Sequence, residues 1–281
     1  MKIAVLGSIN LDIVASGAAL PRAGETVSGA TLDQYPGGKG ANQAYAALQL
    51  GADTALFGRV GDDAFAERAL DRLKWGRADL RHIQIDEELP TGVALIAVCP
   101  EGENQISVCS GANGACAAPD RIEADALICQ LEIPVAVVTE AASAFNGFVA
   151  VNLAPAAPVP DALLDRANLL IVNEAEAAFY GESLHREVGY VALTLGSRGA
   201  ELWRGGQRIA AATPPKVAVV DTTGAGDVFV ASLTLALIEG QAPHEALRFA
   251  CAAGALATTR PGAQPSAPTR AEIEAVLGAS A

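Results

Sequence analysis

The chain has little of what builds metal clusters, disulfide frameworks or nucleic-acid surfaces. Among 281 residues the three histidines (His82, His185, His244) are isolated, and the five cysteines (Cys99, Cys109, Cys116, Cys129, Cys251) form no C-x-x-C pair. This argues against a Cys/His metal motif or a disulfide scaffold and for a reducing, cytoplasmic setting. Each cysteine then reads as a small buried hydrophobe. Basic residues are few, 19 Lys and Arg against 32 Asp and Glu, for a formal net charge of −13. Without a basic excess to offset phosphates, nucleic acid is not expected as the main partner. A single nucleotide needs only a local site and is not excluded. The apolar run Val228 to Ile238 is too short to span a bilayer, so no membrane partner is expected. Ser8, Asn10 and Asp12 interrupt the first apolar stretch early, so no signal peptide is expected. Aromatics make up only 5% of a chain that is 51% hydrophobic, which implies a large aliphatic core.

The most informative stretch is Lys216 to Gly240. An apolar run, Val217 to Val220, ends at Asp221, and Thr222-Thr223-Gly224-Ala225-Gly226-Asp227 leads into a helix-compatible run. The pattern predicts strand, small-residue turn, helix. Nothing bulky lies between Gly224 and Gly226, so another molecule can approach the backbone there. The first N–H groups of a helix lack intrahelical partners, which makes its start an anion site. Asp227 places a carboxylate at that same point. It serves either as an N-cap or as a base that takes a proton from a hydroxyl while the N–H groups stabilise a transferring phosphoryl group. The stretch is not a dinucleotide fingerprint, because Phe229 stands where Gly or Ala is needed. Gly38-Lys39-Gly40 is not a P-loop, because no Ser or Thr follows the lysine.

Other segments repeat the theme of polar or glycine-rich residues at a strand's carboxyl end, where α/β sheets bind ligands. Lys2 to Leu6 reads as a buried strand ending in Gly7-Ser8-Ile9-Asn10-Leu11-Asp12. Asn10 and Asp12, two apart, share a face of an extended segment and suit adjacent sugar hydroxyls, or else form an Asx turn. Tyr35-Pro36-Gly37-Gly38-Lys39-Gly40-Ala41-Asn42 opens an Ala-rich helix reaching about Leu50, with Lys39 and Asn42 on one face; Lys39 alone also reads as a solvated lysine in a glycine turn. Further strands are expected at Ala55 to Val60, Ala126 to Leu131, Val135 to Thr139, Phe148 to Asn152, Leu169 to Val172 and Val191 to Leu195. Helices are expected at Ala64 to Trp75, Ala246 to Thr259 and Ala271 to Leu277. This alternation predicts an α/β fold with a doubly wound, mostly parallel central sheet flanked by helices, in a single domain over residues 1–281. The β-like pieces at about 12–35, with a hairpin at about 91–110, predict a small separate sheet, either a water-excluding lid or an ordinary edge insertion.

Taken in order, these pieces resemble the ribokinase family of sugar kinases, the phosphofructokinase-B group. The resemblance rests on Gly7 to Asp12, Gly37 to Ala44, Asn173 to Glu176, Thr194 to Gly199 and Asp221 to Asp227. It extends to Gly102-Glu103-Asn104, Gly111-Ala112-Asn113, Gln130-Leu131-Glu132 and Gly262-Ala263-Gln264-Pro265-Ser266, and so runs from Ile3 to Leu277. It implies Asp227 as the base for a sugar's primary hydroxyl and Gly224, Ala225 and Gly226 as the anion hole. It implies Asn10, Asp12, Gly38, Lys39, Asn42 and Glu132 around the sugar, with Ala94 and Val108 from the lid. It implies Asn173, Glu176, Thr194, Gly196, Ser197, Gly199 and Gly226 on the nucleotide side, with Glu176 meeting Mg²⁺ through water. Asp221, Thr223, Ala257, Arg260, Gly262 and Ser266 match a potassium-type cation loop.

The implied activity is transfer of the γ-phosphoryl of ATP to a small sugar, ribose first. Alternatives are another sugar or a nucleoside as acceptor, or a non-catalytic sugar or nucleotide sensor on the same scaffold. A homodimer through the lid is also implied. Two segments depart from the family pattern: that between Glu176 and Leu193 is short, and that from Thr139 to Val151 is trimmed. Cys251 falls near where the adenine would pack.

Overall fold

β1 (Lys2–Leu6) shows why the main sheet is buried on both sides. Ile3 and Val5 pack into one apolar cluster, while Ala4 and Leu6 pack into the other. An unbroken apolar run, rather than an alternating one, is what a strand covered on both faces needs. The computed structural model describes residues 1–100, 103–184 and 189–279. Gly102 and His185, both named above, lie outside the described residues.

After β1 come β2 (Asn10–Ser16), β3 (Thr31–Gly37), α1 (Lys39–Gln49), β4 (Asp53–Gly61), α2 (Ala64–Trp75), β5 (Ile83–Asp86), β6 (Gly92–Val98) and β7 (Asn104–Cys109). The chain continues with β8 (Ala126–Gln130), α3 (Val135–Ala144), β9 (Phe148–Asn152), α4 (Asp161–Arg166), β10 (Leu169–Asn173), α5 (Glu174–Tyr180) and β11 (Tyr190–Thr194). It ends with β12 (Ala200–Arg204), β13 (Gln207–Ala212), α6 (Ala225–Ile238), α7 (Pro243–Ala257), α8 (Ala263–Ser266) and α9 (Arg270–Ala279). Nine strands form the main sheet in the order β13-β12-β11-β10-β9-β8-β1-β4-β5. It is parallel from β11 to β5 and antiparallel only at β11-β12-β13. α1, α2, α6, α7 and α9 cover one face, and α3, α4 and α5 cover the other. A second sheet of four strands, β3-β2-β6-β7, stands apart from the first.

Several expectations need correction. Val135 to Thr139 is the first half of α3, not a strand. β8 and β9 are parallel neighbours, so the chain between them must cross over, and a helix is the usual crossover. Val217 to Val220 is no strand either. Val219 and Val220 are each 63% exposed, and the backbone N–H groups of Val220 and Asp221 both donate to the Thr258 carbonyl at the end of α7. The segment is moored to a helix terminus instead of a sheet. β5, β12, β13, α4, α5 and α8 were not anticipated. The β12-β13 hairpin turns at Gly205 and Gly206, both at positive φ (55° and 71°). Among the described residues, no helix is long and apolar enough to cross a membrane.

Candidate active site

The carboxyl ends of β1, β8, β9 and β10 meet the N-terminal ends of α1 and α6. Gly224 caps α6 from the left-handed region (φ 77°), and a Cβ there would lie 2.7 Å from Ala263. A Cβ on Gly226 would meet nothing within 4 Å, so the turn is open on that side, while the Ala225 N–H donates to the Thr222 carbonyl at 3.3 Å. Asp227 is the third residue of α6 rather than its N-cap, which overturns the capping reading. Its carboxylate is buried and turned inward onto α1. Oδ2 accepts from Asn42 Nδ2 at 3.0 Å and Oδ1 from Gln43 Nε2 at 2.9 Å. Burial pushes its pKa up; Lys39 and the two amides pull against that and Glu132 adds to it, so the net direction is upward.

α1 can start here because backbone meets backbone. A Cβ on Gly40 would lie 2.5 Å from the Gly7 carbonyl carbon, and Gly38 has φ 85°. Lys39 is largely buried; the charge of Asp227 raises its pKa, ahead of an opposing desolvation and further support from Glu132 and Glu176. A largely buried lysine among three carboxylates is not the solvated turn residue that was the alternative. Glu132 accepts from Ser8 Oγ at 2.5 Å and from the Lys39 backbone N–H at 3.1 Å.

Asn10 and Asp12 enter from β2 of the smaller sheet, on one face and both buried. Asn113 holds the first in place. Its amide accepts from Ile9 N at 2.9 Å and donates to Asn10 Oδ1 at 2.7 Å. The Asp12 carboxylate receives no hydrogen bond from any described residue. Burial first, then Glu132 and Asp227, lifts its pKa to about 7. A buried carboxylate without donors is an acceptor awaiting hydroxyls. Ala94 on β6 is in register with Asp12 and buried, whereas Val108 on β7 lies one strand further out and is 55% exposed.

Of the residues expected on the nucleotide side, all but Asn173 and Glu176 line a second cleft of about 580 Å³. Thr194, Gly196, Ser197 and Gly199 line it together with Ala225 and Gly226 of the α6 turn. Val217, Val219, Phe229 and Cys251 give it an apolar wall. Burial pushes the Cys251 thiol up to about 12, so it acts there as an inert apolar surface. Pro214, Pro215 and Lys216 also line it, in an extended segment rich in proline and valine that gave no motif to read, and neither they nor Phe229 of α6 were anticipated there. Asn173 and Glu176 form a reciprocal capping box at the start of α5, with Asn173 N to Glu176 Oε2 at 2.8 Å and Glu176 N to Asn173 Oδ1 at 2.9 Å.

Asp221 ties together the segments expected to form a cation loop. It accepts from the Thr223 hydroxyl at 2.7 Å, Thr223 N at 2.9 Å and Gly262 N at 2.8 Å. Burial works to raise its pKa, but these three bonds hold it below the usual carboxylate value. Ala257 and Ser266 are buried nearby in the chain, and Ser266 Oγ donates to the Ala263 carbonyl. Arg260 points away to an ion pair with Glu272. Among the described residues no group of three or more His, Cys, Asp or Glu side chains could hold a metal ion.

Sequence reasoning missed a set of buried amides around the carboxylates: Gln43, Gln130, Asn152, Asn113 and Gln264. Gln43 and Gln130 stand inside motifs quoted above, but nothing local gives them a task. Their side-chain partners lie 87 to 184 positions away, and that of Gln264 lies 222 away.

The pfkB family of carbohydrate kinases matches residues 1–270, and the chain belongs to it. Ribokinases are among the relatives it resembles. It is 37% identical to the ribokinase of Bacillus subtilis over 98% of this chain and 99% of that one. The ribokinase structure from Thermotoga maritima matches with a TM-score of 0.88 at 33% identity, covering 98% of this chain and 99% of that one. The Arabidopsis thaliana ribokinase complexed with ribose and ATP matches with a TM-score of 0.88 at 32% identity, covering 98% of each chain.

Proposed function

We propose that this chain phosphorylates the primary hydroxyl of D-ribose with ATP, giving ribose 5-phosphate and ADP. The observation that carries this reading is the Asp227 carboxylate, buried beside the open turn of α6 and within one polar cluster with the donor-free Asp12. Asp12 and Asn10 accept and donate to the sugar's ring hydroxyls, with Lys39 and Glu132 completing the pocket. Asp227 takes the proton of the primary hydroxyl as its oxygen attacks the γ-phosphorus. In the turn Gly224-Ala225-Gly226 the Ala225 N–H is bonded to the Thr222 carbonyl, and the N–H groups of Gly226 and Asp227 face the charge that develops on the transferring group. The apolar wall at Phe229 and Cys251 receives the adenine, and the turn Thr194 to Gly199 the phosphates.

Magnesium fits as a companion of ATP rather than as a caged ion, since Mg²⁺ commonly uses one or two carboxylates plus substrate phosphates and Glu176 is the carboxylate on that side. Bound there, it would neutralise charge at the phosphates. For potassium, the loops carrying Asp221, Thr223 and Gly262 offer a carboxylate and backbone oxygens next to the anion turn. Ala94 and the smaller sheet act as a lid, with the exposed Ile106 and Val108 covered by the same sheet of a second copy in a homodimer. Five free thiols suit a reducing cytoplasm.

The test is ADP release with Mg-ATP and potassium across ribose, deoxyribose, fructose, xylulose, adenosine and a ketogluconate. Strong turnover confined to ribose is the expected result. Turnover with another acceptor reassigns the pocket, and sugar binding without turnover by any of them overturns the kinase reading.

A further inference from the structure

We propose that Gln43 is the positioning residue for the Asp227 carboxylate and that Gln130 sets the sense in which the Gln43 amide points. The inference rests on the reading of Asp227 as the base. Gln43 is fully buried on α1, one residue beyond Asn42. Gln130 Nε2, at the end of β8, donates to Gln43 Oε1 at 2.6 Å. With its oxygen engaged, Gln43 directs Nε2 to Asp227 Oδ1 at 2.9 Å and to Asn152 Oδ1 at 3.3 Å. The opposite sense would set the amide oxygen against a carboxylate oxygen and leave two acceptors facing each other. Gln130 is held by the packing around it, for a Cβ on Gly7 would lie 1.8 Å from its Oε1. That oxygen is buried and has no hydrogen-bond partner among the described residues, so the residue does not sit there for its own satisfaction. A buried amide with an orphaned oxygen is a cost that needs a compensating gain.

The gain is at Asp227. Asn42 and Gln43 give one N–H to each of its oxygens, which fixes the plane of the carboxylate and leaves lone pairs free for the sugar hydroxyl. On the other side Gln264 Nε2 donates to Asn42 Oδ1 at 3.3 Å, so both amides touching the base are oriented by a further glutamine. Hydrogen bonds to the ionised form also oppose the upward push of burial. Removing one should therefore raise the Asp227 pKa as well as loosen its aim.

The experiment compares wild type with Gln43→Met and Gln130→Met. Asp227 is followed by the ¹³C signal of its carboxyl, identified as the resonance lost in Asp227→Asn. In Gln43→Met the titration midpoint should rise by about one pH unit, the difference a lost hydrogen bond to a charged group makes. The acidic limb of kcat should rise with it, and kcat should drop about tenfold or more while KM for ribose stays within about twofold. Gln130→Met, which does not touch Asp227, should move both in the same direction by less, and it carries the test if Gln43→Met does not fold. An unmoved midpoint in folded variants overturns the inference. A midpoint that moves while the pH profile of turnover stays put supports the positioning and overturns the base reading instead.

Discussion

On the side of β1, β2 and α1, the cleft is made of side chains bonded to side chains. Asp227, Asn42, Gln43, Gln130, Asn152 and Asn113 are all buried, and each has a defined partner. On the side of β10, β11 and α7, it is made of turns and apolar wall, and Gly196 and Ser197 are exposed. The first kind of site loses a specific bond with almost any substitution. The second presents backbone, which substitution of a side chain does not remove. The chemistry should therefore be brittle and the nucleotide site tolerant.

The sharpest way to break this comparison is Asp227→Asn. It should lower kcat by about 10²–10⁴-fold, the range for loss of a general base, and leave equilibrium binding of ribose nearly unchanged. Near-normal turnover would remove the residue from the chemistry.

Asp12 comes next. Asp12→Ala should raise KM for ribose by about tenfold or more, as expected when hydrogen bonds to a charged group are lost. Because its pKa stands at about 7, KM for ribose in the wild type should fall as pH rises through that value, and Asp12→Asn should flatten the trend. The same shift bears on stability. The folded carboxyl keeps a proton that the unfolded chain releases near pH 4, so stability without sugar should fall as pH rises from about 4 to about 7. Melting curves at several pH values should show a shallower fall in Asp12→Asn.

Exchange of potassium for a bulky organic cation at equal ionic strength should lower activity, and less so in Asp221→Asn; equal rates in the two salts would sink the cation loop. The smallest effect is expected at Cys251, where Cys251→Phe should crowd the apolar wall and raise KM for ATP several-fold with KM for ribose unmoved. A larger effect on ribose than on ATP would erase the distinction between the two sides.

The same contrast governs what could be read in advance. β1 and β9 match their expected bounds because both are unbroken apolar runs, and α2 matches because Asp63 caps it, accepting from Phe65 N and Ala66 N. Val135 to Thr139 failed because a short apolar run has no period that separates helix from buried strand. Val217 to Val220 failed because its hydrophobicity serves the edge of a cleft, not a core. The carboxylates and lysine stood out as charges in glycine-rich motifs. Gln43 and Gln130 did not, since an amide gains its meaning only from a partner that topology delivers.

The polar groups around Asp12 belong to two different bodies. Asn10 and Asp12 ride on the smaller sheet, while Lys39, Asn42, Glu132 and Asp227 belong to the larger one, with Gly7, Ser8 and Ile9 as the link between β1 and β2. A molecule that fastens to both sets works as a rivet. It favours every arrangement that brings the sheets together, by as much as its affinity differs between the near and far arrangements. Tightness for the small molecule and closeness of the two sheets are then one equilibrium, so a substitution that stiffens the link would register as altered affinity without touching the pocket.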